Sequence, residues 1–256
     1  MSNRQDADSS GHRAGPWWWI RHLKSTDSTQ DQIFRMTKAL IQPPGGTVVV
    51  ADKQTKGRGR EGRSWLSPVG GLYCSVLLRD EDLLARAGQD RARADRLAAT
   101  LPLVAGLAVA DVVESFGAKA EIKWPNDVMI LERKLAGILC ERKTDAKGET
   151  FTAVGIGMNL VKSPLETAAY LEEIVPALQR PITRDNILRR FLDSFAARLD
   201  RSDTAAEVDK RLYGRGRTAR HEEKKVVIRG VSPQGALLVN TEQGVTEIIS
   251  GEIIID

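Results

Sequence analysis

The chain has 256 residues, enough for one large domain or for a medium domain with a small companion. Hydrophobic residues make up 41% and charged residues 28%, which excludes disordered and fibrous classes of protein. Lysine and arginine outnumber aspartate and glutamate by 38 to 34, a mild excess that leaves phosphate and nucleic-acid binding open. Cys74 and Cys140 lie far apart, so a disulfide framework or a cysteine-based zinc site is excluded. This cysteine usage fits a reducing cytoplasm, and no apolar run approaches the ~18 residues of a membrane span, so we expect a cytoplasmic protein that does not cross a membrane.

The sequence of the first 51 residues predicts a leader, a helix and a strand. Residues 1–19 read as a flexible leader that ends in Trp17–Trp19, and we expect this aromatic triplet to pack on the domain that follows. The spacing of apolar residues predicts a helix over Asp27–Leu40, with Asp27 or Ser28 as its N-cap. The β-branched run Thr47–Ala51 predicts a buried strand.

The middle of the chain alternates strand and helix signals. A buried helix is predicted over Leu103–Phe116, and an apolar stripe predicts a second helix that Thr183 caps and that lies along the sheet. The predicted strands are Leu72–Leu78, Glu121–Trp124, Val128–Leu131, Leu135–Glu141 and Phe151–Leu160. Because short turns such as Asp145–Gly148 are typical of antiparallel hairpins, the pattern favours a mixed sheet.

The last 40 residues have a different texture. Four short β-rich segments separated by turns are predicted over Lys225–Arg229, Ala236–Asn240, Val245–Ile249 and Glu252–Ile255. A unit of this size is near the lower limit of independent stability, so we expect a small β-barrel that packs on the main domain. The predicted organisation is therefore a leader over 1–19, a main domain over 20–215 and a barrel over 216–256.

A glycine- and arginine-rich loop follows the first predicted strand. The segment Gly57–Ser64, GRGREGRS, satisfies the dinucleotide pattern GxGxxG and nearly satisfies a P-loop. Both motifs must open into a helix, whereas Pro68 and Gly70 follow here, so we reject both. Guanidinium groups on a flexible backbone suit a polyphosphate held beside a carboxylate. A solvated basic loop or an RNA-binding segment remains open at this point.

Three further segments bear polar groups at predicted strand ends. In KWPNDV, Asn126 and Asp127 follow a proline-set turn and are good ligands for Mg²⁺ or a nucleotide. In KLAGIL, Lys134 heads an apolar strand, where partial desolvation would strengthen its attraction to an anion. In GIGMNL, Asn159 lies late in a strand whose glycines allow close approach. A plain turn and a lysine that merely flanks a strand are the alternatives.

Together and in this order, these segments resemble the biotin protein ligases. The resemblance includes Ser28-Thr29-Gln30 and the barrel residues Ser250-Gly251-Glu252, and it covers residues 20–256. It implies an α+β fold, with a catalytic domain related to class II aminoacyl-tRNA synthetases on a mixed sheet, followed by a small SH3-like β-barrel. It also implies that biotin and ATP form biotinyl-5′-AMP. The biotinyl group then passes to a lysine of a biotin carboxyl carrier domain of a biotin-dependent carboxylase.

The resemblance also implies roles for individual residues. Lys134 and Arg60 would be catalytic, and Asp127 and Asn159 would hold Mg²⁺. The residues implied to bind biotin are Ser28, Thr29, Gln30, Gln54, Gly57, Arg58, Gly59, Arg60, Lys134 and Gly137. The residues implied to bind ATP or the adenylate are Arg58, Arg60, Arg63, Trp65, Lys123, Asn126, Asp127, Lys134 and Asn159.

Two departures and two alternatives accompany this interpretation. Glu61 stands where some relatives have a basic residue, and no helix-turn-helix segment precedes the catalytic segment, so we expect no specific DNA binding. A lipoate ligase of the same superfamily is the nearest alternative activity. A non-catalytic nucleic-acid-binding module is the alternative from another class. We further expect no membrane association and either a monomer or a homodimer.

Overall fold

The computed structural model describes residues 12–14, 18–174 and 182–256. Within these ranges the main sheet has eight strands in the order β1-β2-β3-β4-β8-β7-β6-β5. Its strands are β1 His12–Ala14, β2 Trp18–Leu23, β3 Thr47–Ala51, β4 Gly71–Arg79, β5 Glu121–Lys123, β6 Asp127–Ile130, β7 Arg133–Thr144 and β8 Thr150–Asn159. Strands β2 and β3 run parallel and the other neighbours antiparallel, which confirms the predicted mixed sheet.

Helices cover both faces of this sheet. They are α1 Thr29–Met36, α2 Asp80–Arg86, α3 Arg91–Glu114, α4 Leu171–Ile174, α5 Arg184–Leu199 and α6 Thr204–Lys210. Successive strand residues point to opposite faces. Val49 therefore joins Ile33 and Phe34 of α1 in a small core. Val48 and Val50 join the larger core, to which α3 and α5 contribute.

Two predicted helices have different bounds in the structure. Helix α1 ends at Met36 because Lys38 N and Ala39 N bond to carbonyls three residues back, which tightens the last turn and leaves Leu40 94% exposed. Helix α3 begins at Arg91, far upstream of the predicted Leu103, because the side chain of Asp90 caps it.

Helix α3 is long and apolar enough to cross a membrane. However, 67% of its most apolar 18-residue stretch is buried in the protein, as in the core helix of a folded domain.

The aromatic triplet is partly in the sheet rather than in a leader. Trp18 and Trp19 belong to β2, and β1, His12–Ala14, pairs with it, which corrects the predicted leader over residues 1–19 at both places. Trp18 is buried and stacks on Phe195 of α5 with ring centroids 6.2 Å apart, in agreement with the expected packing role. Trp19 is half-exposed. Trp17 lies outside the described residues.

The C-terminal unit is a small antiparallel sheet with five strands in the described ranges, in the order β12-β11-β10-β9-β13. These are β9 Thr218–His221, β10 Lys224–Val231, β11 Leu237–Thr241, β12 Gly244–Ile248 and β13 Ile254–Ile255. The sequence predicted four of them and missed β9. The unit packs on the main domain as expected, because Leu237 and Ile253 share the larger core with Leu103 of α3. Trp124 Nε1 also donates to Gly235 O at 3.0 Å.

Candidate functional site

A cavity of about 150 Å³ lies where the N-terminus of α1, the 53–65 loop and strands β4, β6, β7 and β8 meet. The sequence-predicted residues that line it are Ser28, Thr29, Gln30, Gln54, Arg58, Gly59, Arg60, Arg63, Trp65, Lys123, Asn126, Asp127, Lys134 and Gly137. These residues come from stretches of chain up to 109 positions apart. The fold therefore brings together all but two of the predicted residues.

One end of the cavity is a network of neutral hydrogen bonds. Thr29 N donates to Gln54 Oε1 at 2.8 Å, and Thr29 Oγ1 lies 2.9 Å from Ser75 Oγ. Ser75 Oγ donates to Gln30 Oε1 at 2.9 Å, and Gln30 Nε2 donates to Ala153 O at 3.0 Å. Thr29, Gln30 and Ser75 are buried. Because buried polar groups that satisfy one another have no freedom to move, this end of the cavity is rigid.

The glycine-rich loop forms a tight backbone hairpin over one side of the cavity. Trp65 N donates to Gly57 O at 2.9 Å, and Gly59 N donates to Arg63 O at 2.7 Å. The turn places Glu61 and Gly62 at φ values of 54° and 74°. No α-helix follows the loop before β4 begins, so the rejection of the dinucleotide and P-loop motifs is confirmed.

Two loop arginines are held by side chains of the main domain. Arg58 donates to Asp31 Oδ1 and to Glu141 Oε1, both at 2.7 Å. Burial alone would lower the pKa of the Arg58 guanidinium, but Glu141 and Asp31 raise it above its ordinary value, so this arginine stays charged. Arg60 donates to Asn126 Oδ1 at 3.1 Å. The loop is thereby fixed to α1, β7 and the turn before β6.

The third loop arginine bonds to the C-terminal sheet. Arg63 donates to Glu252 Oε1 at 2.7 Å, and Arg60 Nη2 lies 3.4 Å from the carbonyl oxygen of Gly251. The hydrogen bond from Arg63 lowers the pKa of Glu252 below its ordinary value. The small C-terminal unit therefore contributes an acidic group to the rim of the cavity.

Lys134 and Trp65 form the floor of the cationic end. Lys134 Nζ lies 2.7 Å from Asp127 Oδ1 and 5.3 Å from the centre of the Trp65 ring. The ring lies directly on β8, because a Cβ at Gly157 would come within 2.4 Å of it. A Cβ at Gly137 would come within 3.0 Å of the same ring. Both glycines are required for Trp65 to lie flat beside the lysine.

Two predicted residues have other positions. Asn159 does not line the cavity, and its predicted place around the metal and nucleotide stays a prediction. Its Nδ2 donates to Ala169 O at 2.9 Å, and Ala169 N in turn donates to Lys134 O at 3.0 Å, so Asn159 supports the backbone beside the lysine. Gly57 is not in the cavity wall either. A Cβ there would come within 2.3 Å of Trp65 O, so Gly57 lets the loop close on itself.

Sequence reasoning missed several residues of the cavity wall. They are Ser64, Cys74, Ser75, Trp124, Pro125, Ile138, Leu139, Gly155, Ile156, Gly157, Glu252 and Ile253. Glycines at alternate positions of β8 were a signal for Gly155 and Gly157. Ser75 gave none, because a serine in an apolar strand is unremarkable without the sheet order, whereas Glu252 belongs to the segment Ser250-Gly251-Glu252 that carries the resemblance but was given no role.

The cysteine that lines the cavity is not a nucleophile. Cys74 is fully buried, and burial raises the pKa of its thiol to about 12, so the thiol is neutral at physiological pH. Burial also raises the pKa of Cys140. Within residues 12–14, 18–174 and 182–256, no group of three His, Cys, Asp or Glu side chains could hold a metal ion. The cavity therefore offers cations and neutral donors rather than a covalent catalyst.

Comparisons with known proteins agree with this geometry. Residues 22–159 match the biotin/lipoate A/B protein ligase family, and residues 215–256 match the biotin protein ligase C-terminal domain. The chain is 30% identical to the bifunctional ligase/repressor BirA of Bacillus subtilis over 259 residues, covering 90% of this chain and 71% of that protein. It is 36% identical over 145 residues to a biotin–[acetyl-CoA-carboxylase] ligase of Paracoccus denitrificans, covering 56% and 55%.

Solved structures show the same architecture. The structure of the Aquifex aeolicus biotin protein ligase in complex with biotin and ATP superimposes with a TM-score of 0.73 at 32% identity, covering 93% of this chain and 98% of that one. The predicted fold class, a mixed-sheet catalytic domain with a small SH3-like C-terminal unit, is confirmed. With its cavity, its catalytic-domain match and its C-terminal domain, the chain belongs to the biotin/lipoate A/B protein ligase family.

Proposed function

We propose that this protein joins biotin to a lysine of a biotin carboxyl carrier domain, with ATP as the activating substrate. The observation that carries the proposal is the convergence of Arg60, Arg63 and Lys134 on one cavity whose other end is neutral and fully hydrogen-bonded. A substrate with a neutral polar ring and a carboxylate matches these two ends. Biotin has both.

The first step brings two anions together. The biotin carboxylate attacks the α-phosphorus of ATP, the bond to the β-phosphate oxygen breaks, and pyrophosphate leaves. The carboxylate and the triphosphate repel each other, so fixed cations in a partly water-excluded cavity are what the reaction needs. Lys134 Nζ would bridge the carboxyl and α-phosphate oxygens, with Arg60 as the second cation of the reacting centre.

The protein holds its cations in place before substrate arrives. Lys134 is paired with Asp127 and Arg63 with Glu252, so each ammonium or guanidinium has a carboxylate that an incoming phosphate can replace. Exchange of one anion for another costs little reorganisation, which is the requirement for electrostatic stabilisation of a transition state. The tight loop hairpin also shields the reactive adenylate from water.

The second step transfers the acyl group. The neutral amine of the carrier lysine attacks the acyl carbon of biotinyl-5′-AMP, AMP leaves, and the lysine nitrogen loses one proton as the amide forms. No nucleophile of the protein is needed, in line with the neutral thiol of Cys74. The protein's part is to orient the adenylate and to stabilise the charge on the departing phosphate.

Mg²⁺ fits the cavity as an ion that accompanies the phosphates. Asp127 is the carboxylate beside Lys134, and Mg²⁺ in proteins is commonly held by one or two carboxylates together with substrate phosphates. Asn126 Oδ1 already accepts from Arg60, and Asn159 is outside the cavity wall. Asp127 is therefore the residue that would hold the ion, which would neutralise phosphate charge.

Neither alternative activity is favoured. The relatives and structures above are named for biotin, and the C-terminal match is to the biotin ligase domain, which disfavours lipoate. Arg58 is bonded to Asp31 and Glu141, and Arg60 to Asn126, so both arginines are engaged by the main domain, which disfavours a nucleic-acid surface on this loop. We propose a cytoplasmic location, where carrier domain and ATP are available, with no requirement for specific DNA or membrane.

The test is a two-stage assay with the full chain. Biotin, ATP and Mg²⁺ should release pyrophosphate, and adding a carrier domain should then yield one biotinylated lysine, detected by mass spectrometry. Replacing the acceptor lysine by arginine is the control. Failure to label the carrier at saturating substrate, or preferential transfer of lipoate in a competition, would overturn the proposal.

A further inference from the structure

A second concave site lies away from the catalytic cavity. It is a groove of about 280 Å³ between α3, the end of α5, the start of α6 and the turn at Pro233 of the C-terminal unit. It shares no lining residue with the catalytic cavity. Helices α3 and α5 contribute to the larger core, on the sheet face opposite α1. We call this site the arginine groove, after its lining residues Arg86, Arg93, Arg96 and Arg201.

Two of the four arginines have partners among the described residues, and the other two do not. Arg86 is paired with Asp200 at 2.5 Å, and Arg201 with Asp203 at 2.8 Å. The side chains of Arg93 and Arg96 form no hydrogen bond or ion pair with any described residue, although arginines elsewhere in this fold are extensively paired. No carboxylate is among the described residues that line the groove.

The helix places these unpaired charges on one face. Arg93, Arg96 and Thr100 are spaced three and four residues apart, so they project from the same side of α3, while Ala94 is buried. Like charges at such spacing on one helix face repel each other and destabilise the helix. Arg86 and Arg201 approach the same concavity from other elements. An anion between these guanidinium groups would relieve the repulsion.

We propose that the arginine groove binds the polyphosphate group of a small soluble ligand. A guanidinium presents a planar fork of donors that matches phosphate oxygens in pairs, and two unpaired forks on adjacent turns can grip adjacent phosphates. Ser202 and Thr204 add hydroxyl groups to the wall. The volume and concavity favour a ligand of the size of a di- or triphosphate over an extended nucleic-acid strand, which needs a continuous groove.

The apolar part of the wall gives the ligand room for more than phosphate. Leu97, Leu199 and Pro233 lie beside the arginines. A nucleoside attached to the phosphates could rest on these side chains, whereas bare triphosphate would use only the cations. Inorganic triphosphate and a nucleoside triphosphate both carry the phosphates that the proposal requires. Their relative affinities show whether the apolar side chains contribute to binding.

The test compares two pairs of charge-removing variants. Arg93→Gln/Arg96→Gln removes the unpaired cations of the groove. Arg189→Gln/Arg229→Gln is the matched control, because both are exposed, lie outside either cavity and carry the same total charge. Calorimetric titrations use inorganic triphosphate, ATP and a 12-nucleotide single-stranded RNA. They are done on the full chain in excess non-hydrolysable biotinyl-adenylate analogue, which keeps phosphate out of the catalytic cavity.

We expect wild type and the control pair to bind triphosphate with equal affinity, and the groove pair to bind it about tenfold or more weakly, because each lost bond is to a charged group. The Arg93→Lys/Arg96→Lys variant keeps charge without the fork and should bind with intermediate affinity. Biotin activation by the groove pair should remain normal. Equal weakening in both pairs, no triphosphate binding by wild type, or tighter binding of RNA than of triphosphate would each overturn the proposal.

Discussion

The two ends of the catalytic cavity are built from different interactions. At one end, Thr29, Gln30 and Ser75 are buried and bonded to one another and to the backbone. At the other end, Lys134 and Arg63 are partly exposed and form ion pairs with Asp127 and Glu252. The neutral end is fixed by bonds that cost free energy to break, whereas the ionic end exchanges partners easily in water. Shape recognition and charge stabilisation are thus separated within one cavity.

The largest effect is expected from the ionic end. Lys134→Ala removes the cation placed between the two reacting anions, and we expect adenylate formation to slow by about 100- to 1,000-fold, the usual range for loss of one preorganised donor. Because the Lys134 side chain is 37% exposed, the free energy of unfolding should change little. Pyrophosphate release measures the first quantity and urea denaturation the second.

The control for this prediction is Lys147→Ala, which removes an exposed lysine in the turn between β7 and β8. It should leave pyrophosphate release unchanged. A Lys134→Ala variant with a near-normal rate would contradict the role of the lysine. So would a loss of rate fully explained by unfolding.

The floor between the two ends gives the next largest effect. Gly157→Ala would place a Cβ within 2.4 Å of the Trp65 ring, so the ring must shift away from Lys134. We expect a loss of about 1–3 kcal/mol in the free energy of unfolding and a raised KM for ATP. Gly106→Ala in α3 is the control, because a Cβ there makes ordinary contact at 3.5 Å and should stabilise the helix. Equal behaviour of the two variants would refute the packing argument.

The elements predicted well from sequence are those whose apolar pattern faces a core. Strand β3 has the predicted bounds Thr47–Ala51, and α5 is capped at Thr183 as predicted. Helix α2, strand β9 and the first turns of α3 are polar toward solvent, so hydrophobic periodicity gave no signal for them. A segment that faces solvent carries little hydrophobic periodicity, so its secondary structure is difficult to predict from sequence.

The residues that we propose as catalytic were predictable for a different reason than the residues of the cavity wall. Lys134 and Arg60 stand out as charges placed in glycine-rich or apolar surroundings. Ser75 and Gly157 enter the wall only because β4 and β8 are neighbours, with Tyr73 opposite Gly157. Strand order is a long-range property, and no local pattern contains it. The same limit explains Asn159, whose motif was visible while its position behind Lys134 was not.

A substitution at the neutral end of the cavity should have a smaller effect, and it should change stability and the KM for biotin more than kcat. Gln30→Leu removes the donor to Ala153 O and the acceptor of Ser75 Oγ, which keeps its contact with Thr29 Oγ1. We expect a loss of about 1–3 kcal/mol in the free energy of unfolding and a raised KM for biotin, with kcat at saturating biotin much less affected. Gln32→Leu, on the same helix with a single bond to Thr26 Oγ1, is the control. A fall in kcat with an unchanged KM for biotin would contradict the assignment of substrate binding to the neutral end and of charge stabilisation to the ionic end.

The smallest effect concerns the ion pair between the loop and the C-terminal unit. Arg63 and Glu252 side chains are about half-exposed, so a double-mutant cycle with Arg63→Gln and Glu252→Gln should give a coupling free energy of about 0.2–1 kcal/mol. The folded-state pKa of Glu252 is lowered, chiefly by the hydrogen bond from Arg63. The coupling is therefore present above the ordinary glutamate pKa and is lost as pH falls through the lowered value. The coupling free energy is measured at neutral pH and again in acid. If it grows as pH falls, the pair does not stabilise the folded state through charge. The exchange of anions proposed for this end of the cavity would then lose its basis.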